Sequence, residues 1–102
     1  MNKAIRRAVF ARASNSCECG CGCWIDESNA ELDHAEGRVR HPEAVSNCWA
    51  LLKAHHEDRT ANRPSASKWL NLFLAHCIRH GYAAEAERAR ARIQSLRAKG
   101  LS

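Results

Sequence analysis

The chain has 102 residues, of which 45% are hydrophobic and 26% charged, and its formal net charge is +5. That length implies one domain near the lower limit for folding on an ordinary apolar core, and with 6% aromatic residues the core is thin enough for a bound metal to help it. No apolar run approaches the ~20 residues of a membrane span, so the expectation is a soluble, cytoplasmic protein with no membrane partner, and the basic balance points to a polyanion such as nucleic acid.

Residues 2–13 read as a first helix, with Ala4, Ile5, Ala8 and Val9 on one face and Lys3, Arg6 and Arg7 largely on another. The opening stretch MNKAIRRAVFARAS puts arginines inside every apolar segment, so a secretory signal is not expected. Its Arg-rich, acid-free character is shared by transit peptides, but it reads first as an ordinary amphipathic helix. From Ser14 to about Val45 the helical period disappears, and Gly20, Gly22, Gly37 and Pro42 punctuate a loop or hairpin-like region. Strands are expected near Trp24–Ile25, around Ala30–Asp33 and near Cys48–Leu52.

Helical periodicity returns from Ala54. A short helix over His55–Asn62 must end before Pro64, which lacks the N–H to continue it. Ser65 or Ser67 can cap the next helix, whose stripe of Trp69, Leu70, Phe73, Leu74, Cys77 and Ile78 stops at Gly81. In the last helix Tyr82, Ala86, Ala89, Ile93 and Leu96 form one face for packing on a neighbour, with Arg88, Arg92 and Lys99 toward solvent. That face is the candidate surface for a homodimer or a partner protein; otherwise this half reads as helical-hairpin scaffolding. The predicted fold class is α+β, mainly helical: a single domain with an N-terminal helix at about 2–13, a small hairpin-plus-helix core at about 14–64, and C-terminal helices at about 65–80 and 83–98.

Four of the six cysteines, Cys17, Cys19, Cys21 and Cys23, alternate along one short stretch, while Cys48 and Cys77 stand apart within apolar patterns that suit small core residues. Neighbours at i and i+2 have poor disulfide geometry, and a secreted framework would spread its cysteines, so the cluster favours metal binding in a reducing compartment. Asp33-His34, followed some twenty residues later by His55-His56, pairs two metal-capable clusters across a predicted strand, loop and helix. A carboxylate with a neutral imidazole suits a divalent cation and leaves positions open for water and phosphate. A histidine beside the metal can act as general base. Each residue alone has an ordinary explanation: Asp33 turning a loop, His56 on an exposed helix beside Glu57 and Asp58, Asn47 in a loop. The ordered set is what points to chemistry.

The order LDH…G…SN(C)WALL…HHEDRTANRP resembles the His-Asn-His (HNH) endonuclease family over about residues 14–64. The resemblance implies a ββα-metal fold, a β-hairpin and a helix clasping one metal ion, and the hydrolysis of DNA phosphodiester bonds by a nuclease or nicking enzyme. By the same resemblance His34 is the general base, Asp33 and His56 hold a divalent ion (magnesium or manganese first, zinc or nickel also suitable), and Asn47 braces the loop carrying His34. Arg59, one turn after His56, is placed to meet a DNA phosphate, as is Arg38 in a basic flank with Arg40, Arg63 and Lys68. Glu31 and Glu36 are set aside as bystanders.

The family's two CxxC pairs, which hold a structural zinc, are both altered here. The first is SCECGCGCW, and at the second the expected cysteines are replaced by Leu52 and His55. Histidine is still a good zinc ligand, so Cys17, Cys19, Cys21 and His55 form the candidate zinc set, with Cys23 as a further thiol; the alternative is that the zinc has been lost. Two other functions compete with the nuclease: a noncatalytic, zinc-stabilised nucleic-acid-binding module of the same fold, and a thiol-based metal-handling or redox protein.

Overall fold

The computed structural model describes residues 3–36, 44–61 and 67–100. Its elements in chain order are α1 (Lys3–Ala13), β1 (Ala30–His34), a 3-10 turn (Val45–Asn47), β2 (Cys48–Leu52), α2 (Lys53–Ala61), α3 (Ser67–His80) and α4 (Ala83–Ala98). This is a mainly helical α+β fold with one two-stranded antiparallel sheet, in which a hairpin runs directly into a helix. No described helix is long and apolar enough to cross a membrane. The chain divides into two compact units, Met1–His56 and Glu57–Ser102.

In the first unit, α1 buries Val9 and Ala13 and packs on β2. The helix ends where Ser14 and Asn15 take positive φ (51° and 60°), a conformation that small polar side chains tolerate better than bulky ones. β1 and β2 pair in register Ala30↔Leu52 through His34↔Cys48. Cys48, Trp49, Ala50 and Leu51 are all buried, so β2 is covered on both faces. Its outer edge is covered as well. The N–H of Ala50 bonds to the Glu18 carboxylate (3.0 Å), the Glu18 N–H bonds to the Ala50 carbonyl (2.9 Å), and the Leu52 N–H reaches the Cys17 sulfur (3.3 Å). An edge that would otherwise invite pairing with another chain is thus filled by the cysteine-rich loop.

Arg12 locks this arrangement. Its guanidinium forks onto Glu18 (2.7 and 2.8 Å) and also donates to the carbonyls of Val45 (2.9 Å) and Cys48 (2.6 Å). Glu18 and Arg12 are both largely buried, a placement that is stable only because nearly every donor and acceptor is matched. Near Trp24–Ile25 the structure has a single bridge, Ser16↔Trp24, in place of the expected strand. The reason is the following turn: Asp26 accepts from Ser28 N–H (2.8 Å) while the Asp26 N–H bonds to the Asn29 side chain (2.8 Å), bending the chain before a ladder can extend. The Ser28 bonds also hold the Asp26 carboxyl below its usual pKa.

In the second unit, α3 and α4 pack together as a helical hairpin, turned at Gly81 (φ 72°) with the Tyr82 N–H bonded back to the Cys77 carbonyl at 2.9 Å. Trp69, Phe73, His76 and Cys77 of α3 and Ala86, Ala89, Ile93 and Leu96 of α4 are buried. Ile78, expected in the apolar stripe, is exposed, so the stripe is narrower than its sequence suggests. Asp58 accepts from the Trp69 indole (3.0 Å) and faces the Lys68 ammonium (3.7 Å).

Candidate metal centres

His55 and His56 open the two candidate sites. Consecutive residues on a helix project about 100° apart, so the first turn of α2 sends the two rings in different directions. His55 Nδ1 lies 3.6 Å from the sulfurs of Cys17 and Cys19 and 3.7 Å from that of Cys21, and the Cys17 and Cys19 sulfurs are 3.4 Å apart. A tetrahedral zinc with bonds of about 2.3 Å to sulfur and about 2.0–2.1 Å to nitrogen requires donor separations of roughly 3.5–3.8 Å. The four donors all lie within 4.8 Å of one another. Cys17, Cys19, Cys21 and His55 therefore form a cluster that can hold a metal ion such as zinc, with thiolate-rich chemistry that suits it.

Local sequence builds this cluster. Gly20 and Gly22 take φ of 88° and 83°, turning the loop so that alternate cysteines converge, where an extended strand would keep them in a row. The Cys17 N–H bonds to the Cys23 carbonyl (2.9 Å), which closes the loop. Donors also reach the sulfurs from outside: Leu52 N–H to Cys17 (3.3 Å) and Cys23 N–H to Cys21 (3.5 Å). The Cys17 thiol is pulled down to about 4, first by its bond with the Cys19 side chain and further by the Leu52 and Cys19 N–H groups. The same shared bond, with burial, pushes the Cys19 thiol up. One thiolate is stabilised in the bare pair, and a bound cation would favour the others. Cys23 does not belong to the cluster, and its thiol is pushed up by its bond with Cys21. Cys48 and Cys77 are buried in β2 and α3 as core residues.

The second site lies between β1 and the first turn of α2. Asp33 is buried, and its Oδ2 accepts from the indole N–H of its cross-strand partner Trp49 at 2.8 Å. Its Oδ1 lies 3.5 Å from His56 Nε2. Two donors about 2.1 Å from one cation would be separated by roughly 3.0–3.5 Å, and this pair stands at the upper end of that range. On its other side, His56 Nδ1 lies 3.6 Å from Glu31 Oε1.

Asn47, fully buried, fastens the turn after His34. Its Oδ1 accepts from the Glu36 N–H (2.7 Å) and its carbonyl from the Ala35 N–H (2.9 Å). His34 Nε2 is buried with no hydrogen-bond partner among the described residues. Strand alternation turns His34 to the face opposite Asp33. The structure thus brings Asp33 to His56 and Asn47 to the turn beside His34, while no hydrogen bond joins His34 to either group. Arg59 is half-buried on α2 within the second unit, and Arg38 lies outside the described residues, as do Arg40 and Arg63.

Three contributors escaped the sequence reading: the Arg12–Glu18 pair, the Trp49 indole and Glu31. Alternation offered a signal for the first, since Glu18 lies between two cysteines and must face away from anything they share. No protein-family model, curated protein or solved structure matches this chain significantly.

Proposed function

We propose that the chain is a metal-dependent DNA endonuclease or nicking enzyme of the His-Asn-His type, with Asp33 and His56 holding one divalent cation and Cys17, Cys19, Cys21 and His55 holding a separate structural zinc. The observation that carries this reading is the pairing of Asp33 Oδ1 with His56 Nε2 at 3.5 Å, on a hairpin-then-helix where the residue just before His56, His55, belongs to a four-donor cluster. The donor set suits magnesium or manganese, which would neutralise charge on a bound phosphate and its leaving oxygen. His34 Nε2, without a hydrogen-bond partner among the described residues, takes the proton from the attacking water as the new P–O bond forms and the scissile one breaks. Asn47 holds the turn that presents His34. Arg38 and Arg59 serve as phosphate contacts, and the net charge of +5 favours a polyanionic partner.

The noncatalytic alternative, a zinc-stabilised nucleic-acid-binding module, draws support from the opposite strand faces of Asp33 and His34. Plasmid cleavage with magnesium or manganese by wild type and His34→Ala separates the two. A catalytic His34 predicts that the alanine variant loses on the order of 10²–10⁴-fold in rate. Equal cutting by both proteins removes His34 as the base. DNA binding that survives His34→Ala, without cleavage by either protein under any metal, selects the binding module.

A further inference from the structure

The sequence sets Glu31 aside as a bystander, yet its carboxylate stands beside the imidazole that faces Asp33. We propose that Glu31 is a positioning residue for His56: its carboxylate takes the Nδ1–H, fixing the tautomer in which Nε2 carries the lone pair and aims it at Asp33. The consequence for a divalent cation rests on the functional reading above; the tautomer itself does not.

The backbone dictates the arrangement. Glu31 and Asp33 are two residues apart on β1, so both project from one face of the hairpin. His56 stands between their carboxylates, Nδ1 3.6 Å from Glu31 Oε1 and Nε2 3.5 Å from Asp33 Oδ1. A neutral imidazole has one N–H and one lone pair, so the two carboxylates cannot both receive a proton from it. The surroundings divide the roles. Asp33 is buried and accepts the Trp49 indole on Oδ2, while its Oδ1 is the oxygen that faces Nε2 and would share a cation with that lone pair. The Glu31 side chain is 46% exposed, free to rotate by the few tenths of an ångström that bring its oxygen to hydrogen-bond length.

Glu31 is not a third ligand of the same ion. Among the described residues, the groups of three or more donors that converge on one point do not include Glu31 with Asp33 and His56. The remaining chemistry for it is orientation. A carboxylate on the far nitrogen of a ligating histidine sets its tautomer, holds the ring and raises its basicity, and losing such a partner typically costs about 10–100-fold in metal affinity.

The test uses the zinc-replete full chain. Long-range ¹H–¹⁵N correlation spectra at about pH 8, where an imidazole is ordinarily neutral, report which nitrogen of His56 carries the proton. Wild type is expected to show Nδ1–H, and Glu31→Ala to switch to Nε2–H donated to Asp33. In parallel, manganese binding followed by the loss of the free-ion EPR signal should weaken about 10–100-fold in Glu31→Ala, with part of the loss recovered in Glu31→Gln, which keeps an acceptor oxygen. Zinc content should be unchanged in both variants, because His55 and not His56 faces the cysteines. A wild-type His56 protonated on Nε2, or manganese binding by Glu31→Ala within twofold of wild type, overturns the proposal. Wild type that binds no manganese overturns the divalent-ion reading instead, and the tautomer then decides the role of Glu31 alone.

Discussion

Two consecutive histidines on one helical turn serve clusters of opposite character. Around His55 three sulfurs approach its Nδ1 at 3.6–3.7 Å, and with the ring nitrogen they make the four donors that a tetrahedral ion takes, leaving no position for a substrate. Around His56 two carboxylates flank one ring, and Asp33 with His56 can supply only part of a coordination sphere. Closed sites stabilise folds, whereas open sites bind water and substrate. Because the two rings leave adjacent positions of one helix, whatever fixes His55 against the cysteine loop also fixes where His56 meets β1.

The largest expected effect follows from breaking the closed site. Cys19→Ala removes a buried sulfur that stands within bonding range of both Cys17 and His55. It is expected to abolish stoichiometric zinc and to destabilise the first unit by several kcal/mol, roughly the order seen when structural zinc is removed from small domains. Metal analysis with circular dichroism in the presence and absence of chelator checks this. If the cysteine cluster aims α2, manganese binding at the Asp33–His56 pair should fail in the same variant; survival of that binding would uncouple the two sites.

Next in size is the buried pair that holds the cysteine loop from behind. Arg12→Ala leaves the buried Glu18 carboxyl without the guanidinium and strips the carbonyls of Val45 and Cys48 of a donor, and is expected to cost about 3–5 kcal/mol in urea unfolding. Arg12→Lys restores charge but not the fork and should recover only part of that. A loss under about 1 kcal/mol would show that the loop is held by its metal alone, since that is the range of exposed pairs.

How much of this was legible in the sequence depends on the range over which each feature is encoded. Both hairpin strands could be placed because alternation in Ala30–His34 and apolar content in Cys48–Leu52 act over four or five residues, and β2 was expected at the Cys48–Leu52 span that it occupies. The helices followed from periodicity and from Gly81. The strand at Trp24–Ile25 failed because Asp26 and Asn29 form a side-chain turn whose bonds compete with a ladder. Cys17, Cys19, Cys21 and His55 are the zinc donors expected from the sequence, and the structure brings the same four together; what residue spacing does not reveal is the positive φ of Gly20 and Gly22 that turns the loop. For Arg12 and Glu18 alternation hinted only at the direction of Glu18; the Arg12 bonds to the Val45 and Cys48 carbonyls join residues more than thirty apart, beyond the reach of a local pattern. Glu31 was passed over because its partner is supplied by α2, and a sequence pattern does not show which carboxylate a helical ring will meet.

A smaller effect belongs to the open side. Asn47→Ala removes the acceptor of the Glu36 N–H at 2.7 Å, and leaving that group unsatisfied is expected to cost about 1–3 kcal/mol. Zinc content should not change, because the groups Asn47 holds are the Glu36 and Ala35 N–H of the turn after His34. If His34 depends on this turn, cleavage should fall further than the stability loss explains at temperatures where the variant is fully folded. A proportional fall in both would reduce Asn47 to a packing residue.

The smallest effect is also the sharpest on ligand identity. Cys23 sits in the same alternating series as the three donors, but its contribution to the loop is its backbone: the carbonyl that accepts from Cys17 and the N–H that reaches the Cys21 sulfur. Its sulfur does not converge with those of Cys17, Cys19 and Cys21 on His55. Cys23→Ser should therefore keep full zinc occupancy and an unchanged melting temperature. Cys21→Ser should weaken zinc in a chelator competition, because the hydroxyl replaces a sulfur 3.7 Å from His55 Nδ1. If the two variants behave alike, the loop exchanges donors and the tetrahedron is not fixed; if Cys23→Ser alone loses the metal, the closed site uses a different third sulfur. A clean separation would mean that the glycine turns select three thiols from four and thereby set the direction in which His56 leaves the helix.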